Sequence, residues 1–197
     1  MKQVEQFLDK RDQPSYRLDQ FNRHYYQQFV EDFDEITTWS KDLRSTIKDE
    51  VEFSSLELVN LIKSPQGETV KALLELKRNP RHRTETVLMR HQDGRNTVCV
   101  SCMVGCPVGC SFCATGQMGL RENLTAKEII DQVLFFARWL KEKEQKITNI
   151  VYMGMGEPML NLEAVEDSID TIINPDQMGM SQRRITVSTV GYAPQIK

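Results

Sequence analysis

No apolar run in the chain approaches the roughly 20 residues that a membrane-spanning helix needs. The N-terminus lacks the pattern of a secretory signal peptide, and no internal repeat or low-complexity segment is visible. Cysteine is scarce, five among 197 residues. An odd count, in a chain long enough to bury its own core, argues against a disulfide framework. Charge is nearly balanced, with a formal net of −3, so the sum argues neither for nor against a nucleic-acid partner and local distribution has to be read instead. With 40 % hydrophobic residues the chain can form one or two domains. The expectation is a soluble cytoplasmic protein in a reducing compartment, with no membrane association.

Three of the five cysteines crowd into Cys106-Pro-Val-Gly-Cys110-Ser-Phe-Cys113. Thiolates at this CxxxCxxC spacing can hold three corners of a four-iron, four-sulfur (4Fe-4S) cluster, leaving the fourth iron open to a small molecule. Gly105, Gly109, Ala114 and Gly116 give a wrapping loop room, and Phe112 precedes the last cysteine. Zinc is the alternative. Structural zinc takes four closed ligands, commonly in separated pairs; here no second CxxC follows, although Cys99 or Cys102 could supply a fourth thiolate.

Apolar spacing organises the rest. Val4, Phe7 and Leu8 mark a first helix; a second starts near Pro14 and runs through Leu18, Phe21, Tyr25 and Tyr26; a third follows Thr37-Thr38 with Trp39, Leu43 and Ile47 on one face. From Ser55 the period changes to that of strands. Leu56–Ile62 and Thr69–Leu76 flank the turn Ser64-Pro-Gln-Gly67, Asn79-Pro80 breaks the pattern, and Thr84–Arg90 and Asn96–Ser101 flank Gln92-Asp-Gly-Arg95. Beyond the cysteines, strand and helix alternate. Thr125-Ala-Lys-Glu128 is a capping box, Ile147–Met153 a short strand, Asn161 a helix cap, and Arg184–Thr189 another strand. This rhythm implies parallel βα units. The expected class is α/β: an accessory domain of helices and β-hairpins over residues 1–91, then an incomplete parallel βα partial barrel over 92–197.

Ligand sites in such folds gather at the carboxyl ends of the strands. The cysteine loop, Gly154-Met-Gly-Glu-Pro158 and Ser188-Thr-Val-Gly191 all fall there. A glycine pair lets backbone approach a ligand, and a neighbouring carboxylate can accept bonds from an ammonium or from ribose hydroxyls. Six basic residues between Lys77 and Arg95 face only Glu85 and Asp93. Such a basic hairpin suits phosphate contacts, though an ordinary solvated strand pair reads the same on charge alone.

The combination resembles the radical S-adenosylmethionine (SAM) superfamily, and more closely its RlmN/Cfr-type RNA adenine methyltransferases. The resemblance rests on Cys99 through Gly116, Arg121-Glu-Asn-Leu-Thr125, Met153 through Asn161 and Ser181 through Thr189. Tyr16-Arg17-x-x-Gln20 and Phe33-Asp-Glu35 are similar to the family's accessory domain. It implies that Cys106, Cys110 and Cys113 hold a 4Fe-4S cluster and that SAM binds its open iron. An electron from the cluster then opens SAM to methionine and a 5′-deoxyadenosyl radical. Gly156 and Glu157 would contact the SAM amino end and Ser188 the ribose side. Glu85 matches the family's proton acceptor, Cys99 a cysteine that helps resolve a covalent protein–RNA adduct, and Cys102 only a packing position. Implied partners are 23S rRNA, with tRNA as a second substrate, and a reductase-type electron donor, for a monomeric enzyme.

The family carries its methyl on a second cysteine, late in a chain almost twice this long, and none of the five cysteines occupies that place. The sequence also stops at Lys197, just after the third parallel strand. A truncated radical SAM core without full methyl transfer is therefore expected. The alternatives are a Cfr-type C8 methyltransferase and a non-catalytic iron–sulfur or RNA-binding fragment.

Overall fold

Helix α1 (Lys2–Asp9) buries Val4, Phe7 and Leu8, as their spacing requires. The structure, a computed structural model, describes residues 2–195; Met1, Ile196 and Lys197, where the sequence stops, lie outside the described residues. Helix α2 (Tyr16–Asn22) starts two residues beyond Pro14 and passes into a π turn over Arg23–Gln27. That wider turn brings the adjacent Tyr25 and Tyr26 both into the core. Their rings meet edge to face at 4.9 Å, and Tyr25 stacks on Phe21 at 5.0 Å. Helix α3 (Lys41–Lys48) begins later than expected, because Ser40 is its cap, the hydroxyl accepting from the Leu43 N–H at 3.2 Å. Trp39 lies before the helix, buried, with its indole N–H on the Arg17 carbonyl.

Strands β1 (Leu56–Lys63), β2 (Thr69–Leu76) and β3 (Asn79–Arg90) form an antiparallel meander. Asn79-Pro80 does not break the pattern: it begins β3. The ladder steps from Leu76↔Asn79 to Glu75↔Arg83, so residues 80–82 bulge out of pairing and Pro80 is spared a ladder bond it could not make. Strand β4 (Asn96–Cys99) returns antiparallel to β3. Strands β5 (Met103–Gly105) and β6 (Leu120–Asn123) form a separate two-stranded ribbon, and between them runs the cysteine loop with the short helix α4 (Ala114–Gln117). Nothing in the apolar spacing announced that ribbon. The chain continues through α5 (Ala126–Lys141), β7 (Asn149–Tyr152), α6 (Leu162–Ile173) and β8 (Ile185–Val187).

The main sheet has the order β1-β2-β3-β4-β7-β8, and its last three strands are parallel. The expected partial βα barrel is therefore present as three parallel strands with helical crossovers. The boundary expected at residue 91 falls in the turn between β3 and β4, which are hydrogen-bonded neighbours in that one sheet. Helix α5 has the expected capping box and is buried on several sides, with Ile129, Val133, Leu134, Phe136 and Leu140 fully inside. It also fastens the N-terminal helices. Its Asp131 carboxylate accepts from the Ser55 N–H (2.7 Å), the Ser55 hydroxyl (2.6 Å), Lys127 (2.9 Å) and the Tyr25 hydroxyl, while Arg138 donates to the Val30 carbonyl at 3.1 Å. Among the described residues no helix is long and apolar enough to cross a membrane.

Candidate functional site

The cysteine loop is closed at its base by the Cys106 N–H donating to the Gly119 carbonyl at 3.2 Å. Inside it, the Cys113 N–H donates to Cys110 and the Gln117 N–H to Cys113, at 3.0 and 3.2 Å. Cys106 is buried, Cys110 and Cys113 are half-buried, and all three thiols are free. Phe112 is exposed beside them. The backbone is drawn in tightly. Gly105 has φ +77°, and a Cβ there would lie 1.9 Å from the Gly119 carbonyl oxygen; one at Gly116 would lie 3.1 Å from the Cys110 nitrogen. The Gly116 N–H, with help from the Thr115 N–H and hydroxyl, holds the Cys113 thiol below its ordinary range. That favours the thiolate, the form that binds metal. Among the described residues no group of three His, Cys, Asp or Glu side chains is arranged to hold a metal ion.

The glycine turn after β7 packs directly against the segment that leads into this loop. The Gly154 N–H donates to Val100 at 3.0 Å, and the Cys102 and Met103 N–H groups donate to Met155 at 2.9 and 3.1 Å. Both glycines are needed for the approach. A Cβ at Gly154 would lie 2.6 Å from the Ser101 hydroxyl, and one at Gly156 (φ +107°) 2.7 Å from Met103 and 2.8 Å from the Cys102 sulfur. Cys102 is thus packed beneath the turn, its thiol pushed up to about 12 by burial first and then by Glu157 and Cys106.

Two residues that were not picked out from the sequence as site residues hold these parts together. Ser101 is fully buried; its hydroxyl donates to the Glu85 carbonyl (2.6 Å) and accepts from the Met155 N–H (2.8 Å), tying β3 to the glycine turn. Asn161, expected to cap α6, makes no capping bond. Its amide instead donates to the carbonyls of Cys102 and Leu124, both at 2.8 Å. Those are the points where the β5–β6 excursion leaves and rejoins the chain, so Asn161 cinches the neck of the cysteine loop. The only sequence signal for it was its place at the end of the glycine-turn motif. Asn161→Ala strips both bonds and should cost about 1–3 kcal/mol. A melting curve should show a fall of several degrees.

Glu157 is buried, and each of its carboxylate oxygens receives a backbone N–H, Met159 at 3.1 Å and Val190 at 2.9 Å. It therefore ties the turn after β7 to the loop after β8. Each oxygen keeps a further lone pair for a ligand. Ser188 is exposed at the start of that second loop, its N–H on the Tyr152 carbonyl at 3.4 Å. Cys99 ends β4 and Glu85 lies on the neighbouring β3, both on the half-exposed face of the sheet: Cys99 pairs with Val87 on one side and Val151 on the other, and Glu85 shares Val87's face at a period of two. Burial pushes the Cys99 thiol up, against a lowering bond from the Met153 N–H. Glu85 is ion-paired with Lys71 at 3.0 Å, both side chains partly exposed.

Comparison with known proteins decides what these parts belong to. The family model described as the radical SAM superfamily matches residues 100–197, the segment that holds the cysteine loop and the glycine turn. The chain belongs to that superfamily. Residues 1–53 match the ribosomal RNA large subunit methyltransferase N-terminal domain. Curated relatives include a dual-specificity RNA methyltransferase RlmN from Nautilia profundicola, 42 % identical over 94 % of this chain and 54 % of the relative. A probable RlmN from Salinibacter ruber is 42 % identical over 98 % and 53 %. A crystal structure of a radical SAM methyltransferase from Sphaerobacter thermophilus superposes with a TM-score of 0.92 at 43 % identity, covering 97 % of this chain and 55 % of that one. The chain thus spans about half the length of the relatives it matches. Radical SAM proteins use a 4Fe-4S cluster and SAM, and the donor set fits the cluster: three free thiols on a glycine-lined loop, one of them biased toward thiolate.

Proposed function

We propose that residues 1–197 are the accessory domain and the cofactor-binding half of an RlmN-type radical SAM enzyme that methylates C2 of adenine in 23S rRNA and in tRNA. The observation that carries this reading is the joining of the cysteine loop to the glycine turn through Ser101, Cys102 and Asn161, on a chain whose relatives are named RNA methyltransferases. Residues 1–91 would serve RNA recognition and lend Glu85 to the chemistry, and 92–197 would hold the cofactors, in a cytoplasmic monomer supplied by a reductase.

Cys106, Cys110 and Cys113 would hold the cluster. When bound, the pair of cofactors supplies an electron and a 5′-deoxyadenosyl radical. The protein's own share is placement. Gly154 and Gly156 bring backbone to the SAM amino end, the free lone pairs of Glu157 accept from its ammonium, and Ser188 offers a hydroxyl on the ribose side. Glu85 would take up the proton lost from the methylated base at a carboxylate oxygen, and Cys99 would act on the covalent adduct.

Anaerobic reconstitution should load about four irons per chain. Reduction with SAM should then yield 5′-deoxyadenosine by chromatography. Residues 1–197 alone should yield little or no 2-methyladenine by mass spectrometry, because none of the five cysteines stands where the methyl carrier is needed. Stoichiometric zinc in place of iron would sink the reading. Glu157→Gln turns one N–H acceptor into an NH2 donor, facing either Met159 or Val190. It should keep its iron but weaken the change that SAM causes in the reduced cluster's electron paramagnetic resonance spectrum.

A further inference from the structure

The basic stretch between Lys77 and Arg95 is largely consumed by neighbours. Lys77 pairs with Glu52 (3.1 Å), Arg83 with Glu75 (3.1 Å) and Arg95 with Asp93 (2.8 Å), while Arg78 bonds both Glu122 and Glu128. Among the described residues Arg81 and Arg90 make no ion pair, and neither does Arg121 on β6. Arg81 stands on the 80–82 bulge, which lifts it out of the ladder. It and Arg121, both exposed, line one cleft of about 500 Å³ whose apolar side is Val104 and Met118. The cleft adjoins the cysteine loop, since Val104 lies two residues before Cys106 and Met118 five after Cys113. Glu122, the residue next to Arg121, is already ion-paired with Arg78, lies in hydrogen-bond contact with the His82 ring and accepts from Asn79 at 3.2 Å. Its charge is thereby spent inward.

We propose that this cleft seats a single-stranded RNA phosphodiester between Arg81 and Arg121, with an unstacked base against Met118 and Val104, and so anchors the strand beside the cysteine loop. The inference rests on the RNA-methyltransferase reading. Unpaired guanidinium groups set beside the exposed Met118, with the buried Val104 behind it, match the two halves of a nucleotide, its anionic linkage and the flat face of its base. A hydrophobic peptide would leave both arginines unpaired.

The test measures binding of a fluorescent single-stranded RNA loop to the iron-loaded chain across a salt series. Arg81→Ala/Arg121→Ala should weaken binding about tenfold or more. It should also flatten the slope of log K against log salt by about 0.7–1.4, the loss of one or two phosphate contacts on a single strand. Met118→Ser should weaken binding with the slope unchanged. Arg90→Ala, outside the cleft, should change neither. Unchanged affinity and slope in the double variant, with RNA still bound by the parent chain, would overturn the cleft alone. Failure of the parent chain to bind any RNA would overturn the RNA reading itself. Displacement of the RNA by polyglutamate at equal charge concentration would make the cleft a site for acidic protein and overturn the assignment.

Discussion

Gly105→Ala should leave the helices and the main sheet folded and yet empty the cysteine loop of iron. Gly105 ends β5, immediately before Cys106, in the left-handed region of backbone space at φ +77°. An L-residue there costs about 1–2 kcal/mol before any contact is counted. The added carbon would then fall 1.9 Å from the Gly119 carbonyl oxygen, backbone that cannot rotate away. That same oxygen receives the Cys106 N–H that closes the loop. The methyl is relieved only by parting β5 from the turn before β6, which moves Cys106 away from Cys110 and Cys113. Iron after anaerobic reconstitution should fall from about four per chain to below about one, with the far-ultraviolet circular dichroism close to that of the parent. Full iron loading in the variant would show that the loop does not need this closure.

Asp131→Asn should be the costliest single change away from the site. The carboxylate is buried, and it accepts from Tyr25, Ser55 and Lys127 together. An amide can accept on one atom only, so it leaves the Ser55 N–H or Tyr25 facing a donor and Lys127 without its counter-charge. Removing one partner of a buried pair costs about 3–5 kcal/mol. In a chain of this length that corresponds to a drop of roughly 6–20 °C in melting temperature. Burial by itself pushes the Asp131 carboxyl up, but the Lys127 charge and the bonds from Ser55 and Tyr25 outweigh it, and the net shift is downward. A depressed carboxyl stabilises the fold above its unfolded value of about 3.9, and that contribution is lost as pH falls through the folded value. The gap between parent and variant should therefore be full near neutral pH and should close in acid. A gap that stays constant down to acid unfolding would remove Asp131 as its source.

Helix faces and strand periods carried most of the architecture into view. Val4/Phe7/Leu8, the Thr125–Glu128 capping box and the apolar run before the glycine turn each produced the element their spacing required. What escaped was set by contacts between distant segments. The β5–β6 ribbon has no apolar alternation of its own; it exists because Cys106 and Gly119 meet. Pro80 looked like a breaker because the bulge that takes residues 80–82 out of pairing is invisible in the local sequence. Asn161 looked like a cap because it precedes a helix, while its true partners lie 59 and 37 residues away. In the site, the cysteines and the glycine turn were legible because their chemistry demands fixed residue types. Ser101 was not, since a buried serine bridging two backbone groups looks like any other serine.

The continuous sheet has a practical consequence for anyone who wishes to take the protein apart. A cut at residue 91 would sever the only covalent link between β3 and β4. It would turn two interior strands into raw margins, each with a row of unmatched backbone groups open to neighbouring molecules. A catalytic half expressed from residue 92 onward should therefore precipitate or self-associate, whereas an excision that removes only residues 1–53 leaves every strand with its neighbour. The seam that spares the sheet runs ahead of β1, at the cost of the Tyr25 and Val30 bonds to α5.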